Sequence, residues 1–260
     1  MTLLTYIQYT YIYVALAIGL YMTTWFIISI LRKRNDVADT AWGIGFFFAS
    51  CIPLLMYGVQ SLQQIIVTLL VLIWGSRLSL HIHMRNKNKG EDPRYLAWRQ
   101  SWKWFYVRSF FQIYVLQGIL LILVVSPVLF INTIAMAELS VFFYVGVLVW
   151  LTGFIFESVG DAQLKRFIQD PNNRGKIMNK GLWAYTRHPN YFGEVTQWWG
   201  LFIVALSVPY GILSIIGPLT ITILILKVSG VPMLEKSFVG RPGWEEYKAK
   251  TSVFIPWFRG

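Results

Sequence analysis

The segment from Glu157 to Glu194 carries the densest set of groups that could do chemistry. Glu157, Asp161 and Lys165 recur at every fourth position, so on a helix they share one polar stripe. An ionisable side chain at membrane depth is costly, so a stripe beside an apolar stretch points to a site. The plainer reading is a helix end solvated by headgroups. Further on, Arg187, His188, Asn190, Tyr191 and Glu194 crowd around Pro189. Proline disfavours helix at the residue before it and suits the first turn of the helix that follows. Arg187, His188 and Asn190 therefore gather at a helix amino terminus, where free N–H groups and the dipole attract anions such as phosphate. Glu194 falls one turn deeper, in a helix that goes on as Trp-Trp-Gly-Leu-Phe-Ile-Val. It is either a ligand-binding carboxylate or a partner for Arg187.

Two further clusters lie elsewhere. Asp39 opens a second helical stretch, either as its N-cap or as a carboxyl at the mouth of an intramembrane pocket. His81 and His83 would point about 200° apart on a helix, so no single ion binds both and no metal site is expected. The basic residues around them balance anionic headgroups or a polyanionic cofactor. The tail after Gly230 mixes Glu235, Lys236, Arg241, Glu245, Glu246 and Tyr247 with aromatic residues. That mix fits an interfacial helix closing over a cytosolic mouth.

The elements that must position these groups are membrane helices. Hydrophobic residues make up 56% of the 260-residue chain and charged residues 13%, about half the charge of a soluble domain. The single cysteine, Cys51, excludes an intrachain disulfide and any cysteine cluster. Seven stretches are long enough to span: Ile7–Leu31, Ala41–Val59, Leu62–His83, Phe105–Phe130, Val141–Gly160, Tyr191–Val208 and Gly211–Gly230. All 23 Lys and Arg residues fall in or beside four of the intervening segments, which seven spans put on one side. Cytoplasmic loops are the ones rich in Lys and Arg, so the amino terminus is expected outside and the carboxyl terminus in the cytosol. With a net charge of +11, the basic excess is read as loop charge facing an anionic membrane, not as a nucleic-acid surface. A transporter would spread polar residues through the bilayer depth and show related halves; neither pattern is present.

The run Gly181-Leu182-Trp183-Ala184-Tyr185-Thr186-Arg187-His188-Pro189-Asn190-Tyr191-Phe192-Gly193-Glu194 resembles the signature of the steroid 5-alpha-reductase family, its bacterial branch above all. The stretches Asp39–Gly43, Trp74-Gly75-Ser76-Arg77-Leu78 and Gly90–Tyr95 are similar to that branch too. The resemblance implies an all-α, polytopic enzyme of a bacterial inner membrane. It would bind NADPH from the cytosol and reduce a carbon–carbon double bond in a steroid-like or other enone lipid. It divides the chain into substrate-side helices over residues 1–140 and a cofactor-binding half over residues 141–260. Asp161, Lys176, Asn190 and Glu194 map onto the family's cofactor contacts, with Lys165, Arg166, Arg187, His188 and Tyr191 beside them and the basic members at phosphates. Asp39 falls near the acid that polarises the substrate carbonyl, and Trp74 stands near its tyrosine partner. Isoprenylcysteine and phospholipid methyltransferases carry a related Arg-His-Pro-x-Tyr-x-Gly segment. Methyl transfer from S-adenosylmethionine to a lipid is therefore the alternative.

Overall fold

The computed structural model describes residues 2–87 and 89–257, and every regular element in them is helical. Among the described residues the one β-type contact is an isolated bridge between Thr186 and Ser252. In chain order, α1 spans Leu3–Arg32, α2 Val37–Tyr57 and α3 Leu62–Asn86. A short α4, Pro93–Ser101, precedes α5, Phe105–Val124, which contains a π-helical stretch at Phe110–Val115. Then come α6, Ser126–Thr133, and α7, Val141–Gln169. The last three are α8, Pro189–Ala205, α9, Gly211–Lys236, and α10, Trp244–Lys250. Among the described residues, six helices are long and apolar enough to cross a membrane: α1, α2, α3, α5, α7 and α9. They coincide with six of the seven stretches expected from sequence. The other stretch, Tyr191–Val208, falls on α8, whose 17 residues reach only the lower limit for a crossing. Past Gly160, α7 runs on to Gln169, so Asp161, Lys165 and Arg166 all lie on one continuous helix.

The chain forms two compact units. The first is Met1–Ser140 with Ala205–Gly217, and the second is Val141–Val204 with Pro218–Gly260. Membrane helices associate through close backbone packing and interhelical hydrogen bonds rather than hydrophobic burial, and each unit shows both devices.

In the first unit, α2 and α3 cross where Gly43 faces Gly75. A Cβ on Gly43 would stand 2.5 Å from the Gly75 carbonyl oxygen and 2.6 Å from Ser79 Oγ. The Ser79 hydroxyl donates to the Thr40 carbonyl at 2.9 Å and accepts from the Ile44 N–H at 3.1 Å. Farther along, Asn132 donates to the Ser50 carbonyl at 2.8 Å and to the Thr68 hydroxyl at 2.9 Å. Gln64 donates to the Asn132 carbonyl at 3.1 Å while also closing the capping box that starts α3.

In the second unit, Gly146, Gly153 and Gly160 recur every seven residues on α7 and run antiparallel to Gly200, Gly193 and Asn190 on α8. A Cβ on Gly146 would lie 2.6 Å from the Gly200 oxygen, and one on Gly153 would lie 2.6 Å from the Gly193 oxygen. At Gly160 the distance to the Asn190 nitrogen is 3.2 Å. The seam buries Glu157, whose carboxylate accepts a hydrogen bond from Gln197 at 2.5 Å. It also sets the start of α8 beside Asp161.

Candidate active site

In the first unit Asp39 draws together partners from a distant helix. The N-cap of α2 is Asp36, so the N-cap reading of Asp39 does not hold. Asp39 lies in the first turn of α2, with Gly43 and the α3 crossing one turn on. Its carboxylate accepts from the Tyr95 hydroxyl at 2.6 Å and from the Arg94 guanidinium at 3.1 Å. Arg94 is braced in turn by Asp92, with Nε 3.0 Å from Oδ1 and Nη2 3.2 Å from Oδ2. The geometry follows from local sequence. Asp92 caps α4 by accepting from the Arg94 N–H at 2.9 Å, and Pro93 fills the first helical position. Tyr95 is therefore fixed on the first turn of α4. Its ring is 4% exposed and meets Trp98 edge-on. Burial, with the Asp39 carboxylate at its hydroxyl, pushes the Tyr95 phenol well above its ordinary pKa of 10.0, so it stays protonated and donating. Burial works against the Asp92 carboxyl, yet the hydrogen bonds from Arg94 hold it below its usual value.

The surrounding loops are fixed by ion pairs. Arg99 Nε sits 2.9 Å from Glu91, whose other oxygen accepts from the Asn35 N–H at 2.7 Å. Arg34 pairs with Asp36 at 2.7 Å. Trp74, the other substrate-side candidate, is 2% exposed and packs edge-on against Phe46.

In the second unit, Asn190 donates to Asp161 at 3.1 Å across the glycine seam, and its own carbonyl oxygen is buried without a donor among the described residues. Glu194 lies one turn deeper on α8 and is half-buried. The Tyr191 ring stacks on His188 with centroids 5.5 Å apart. His188 is 1% exposed; its Nε2 is 3.0 Å from Glu235, so Nδ1 is left as a buried nitrogen with no partner among the described residues. Burial outweighs Glu235 and lowers the His188 pKa from 6.5, which keeps the ring neutral at neutral pH.

Arg187 uses three of its five donors on construction. Nε meets Glu235 at 2.8 Å, and Nη1 meets the carbonyls of Lys248 at 3.1 Å and Thr251 at 2.7 Å. Next to it, the Tyr247 hydroxyl donates to the Trp183 carbonyl at 2.6 Å, and the Thr186 hydroxyl donates to the Phe254 carbonyl at 2.8 Å. The tail is thus stitched to the signature segment. Arg166 and Lys176 line a cavity of about 980 Å³ together with Gln163, Lys180, Tyr247 and Lys250. Lys165 is exposed and does not line it.

Residues 25–251 match a family described as a protein of unknown function, DUF1295. The chain belongs to that family. DUF1295 sits in the steroid 5-alpha-reductase-like superfamily, and the match runs through every residue described above from Asp39 to Thr251. An uncharacterized protein of Schizosaccharomyces pombe is 26% identical over 203 residues, which are 68% of this chain and 59% of that protein. Human 3-oxo-5-alpha-steroid 4-dehydrogenase 1 is 36% identical over 67 residues, 25% of this chain and 26% of that enzyme. The chain therefore spans 59% and 26% of the lengths of these two curated relatives. No solved structure matches it.

Within this DUF1295 chain, sequence reasoning placed Asp39 but not its partners. Tyr95 and Arg94 lie more than 50 positions away, and the clue to them was the Asp92-Pro93 pair that fixes the start of α4. Glu235, which holds both Arg187 and His188, had no local signal because its partners are 47 and 48 residues away.

Proposed function

We propose that the protein is a membrane-embedded reductase that saturates a carbon–carbon double bond conjugated to a carbonyl in a steroid-like or other lipid, using NADPH. The observation that carries this reading is the Asp39–Tyr95 hydrogen bond of 2.6 Å, braced by Arg94 at the first turn of an apolar helix. Reducing an enone at its β-carbon builds negative charge on the carbonyl oxygen. A preorganised donor in a water-poor site stabilises that charge and can return a proton. Tyr95 has one O–H, which rests on Asp39 and would turn to the substrate carbonyl, while Arg94 keeps the Asp39 carboxylate paired. The similarity of one stretch to a human steroid dehydrogenase supports the same chemistry.

NADPH would supply the hydride. The second unit offers groups suited to it. Arg166, Lys176 and Lys180 give cations for phosphates in a cavity of about 980 Å³, at the upper end of small-molecule sites. The buried Asn190 oxygen is an acceptor in want of a donor, which a carboxamide N–H would satisfy. Glu194 is the second acceptor assigned to that end. Arg187 takes the part of holding the tail. In this reading α8 is a seventh crossing, the amino terminus faces outside, and the basic loops face the cytosol.

The test is product analysis of the purified protein in detergent with NADPH and a 3-oxo-4-ene steroid or an acyclic enone lipid. The expected result is a product two hydrogens heavier, formed only with reduced cofactor. A methylated product formed with S-adenosylmethionine, and no reduced one, would overturn the reading.

A further inference from the structure

A second cavity lies in the first unit, away from Asp39 and Tyr95. It has a volume of about 190 Å³ and is lined by Arg32, Arg34, Asp36, His83, Asn86 and Lys87, among others. Arg34 is a fixed wall: it pairs with Asp36 at 2.7 Å and donates to the Lys89 carbonyl at 2.8 Å. The side chains of Arg32, His83 and Lys87 are exposed and make no ion pair among the described residues. Among the described residues the amide nitrogen of Asn86 is buried without an acceptor, while its oxygen accepts from Arg85 at 3.4 Å. The cavity thus joins uncommitted cations to a buried donor that lacks a partner, and both ask for an anionic oxygen.

We propose that this cavity binds the phosphate of an anionic phospholipid. Three observations favour that ligand. The first is position: Arg32 is the last residue of α1 and Lys87 directly follows α3, so the cations sit at the ends of two membrane-spanning helices. Headgroup phosphates lie at that level, and basic pockets between helix ends on the cytoplasmic side take anionic headgroups. The second is size. About 190 Å³ is below the range for drug-sized ligands, which excludes a dinucleotide and admits a phosphate with its glycerol. The third is charge: Arg32, Arg34 and Lys87 against Asp36 leave a balance of +2. A soluble phosphate ester shares this chemistry and is the other source to separate.

The experiment is native mass spectrometry of the full chain released from nanodiscs of phosphatidylcholine mixed with phosphatidylglycerol. The native protein is expected to retain one phosphatidylglycerol. The triple variant Arg32→Gln, His83→Gln, Lys87→Gln should bind it about tenfold more weakly or worse. A charge-matched control, Lys103→Gln with Lys236→Gln, should retain it as the native chain does. Undiminished retention in the first triple variant would overturn the site. If glycerol phosphate displaces the lipid at equal concentration, the bilayer is not the source and the lipid assignment fails. Should the triple variant not fold, Arg32→Gln and Lys87→Gln singly are expected to weaken retention about threefold each, and unchanged retention in both counts against the site.

Discussion

Asp39 and Arg187 are both charged residues in recognisable motifs, yet their surroundings use them in opposite ways. The Asp39 carboxylate is approached by a phenol and a guanidinium that arrive together on one rigid turn of α4, and that turn is locked by neighbours in sequence. Arg187 is buried against a tail more than 40 residues downstream, and its donors go to Glu235 and to two backbone carbonyls. The first arrangement presents a polar pair; the second closes a structure. Membership in a signature therefore does not separate chemistry from construction. The separation comes from what each group has left to give once the fold has satisfied itself.

The sharpest way to break this comparison is to remove each function separately. Tyr95→Phe deletes one hydroxyl and nothing else from the packing. Enone reduction is expected to fall about 100-fold or more while the melting temperature stays near native, as read by turnover and thermal unfolding on one preparation. Asp39→Asn should behave alike in turnover. Arg187→Ala should do the reverse at first sight: it leaves a half-buried Glu235 without its guanidinium and two carbonyls without donors. Its cost is about 3–5 kcal/mol, seen as a collapse of thermal stability and of purified yield. Arg187→Lys restores the charge without the three-donor geometry, so it should rescue only part of that loss.

Milder changes sharpen the comparison. Lys176→Gln with Lys180→Gln removes two exposed cations from the larger cavity. The KM for NADPH should rise about fivefold with kcat unchanged, and the rise should shrink in high salt. A fall in kcat instead would place these residues in the chemistry. His188 tests the construction side through pH. Its folded pKa is depressed below 6.5 by burial, so below about pH 6.5 the unfolded chain binds a proton that the folded chain refuses. Stability is therefore full above that pH and declines as pH falls. The decline in melting temperature from about pH 7.5 to 5.5 should be shallower in His188→Asn.

Much of this was legible in the sequence, and the limits have physical causes. Six apolar runs became six long helices because a run of that length has no other way to satisfy its backbone in lipid. The Pro189 start of α8 and the one-turn step from Asn190 to Glu194 were readable because both are local. Asp39 was readable as a carboxyl in an apolar helix, but its partner was not, since Tyr95 reaches it from 56 residues away. Trp74 attracted notice by its place in a motif, and the structure surrounds it with ring packing against Phe46. The seven-residue spacing of Gly146, Gly153 and Gly160 was visible on the page, but only the facing Gly193 and Gly200 show that it is a seam.

The central claim is that Asp39 and Tyr95 form the reacting end of the site while Arg187 holds the frame. It is tested most directly by single-turnover reduction of an enone lipid by NADPH in the native chain and in Tyr95→Phe, each confirmed folded by its unfolding curve. The account predicts a native-like unfolding curve with a rate lowered about 100-fold or more. A rate within about twofold of native, in a variant of native stability, would contradict it.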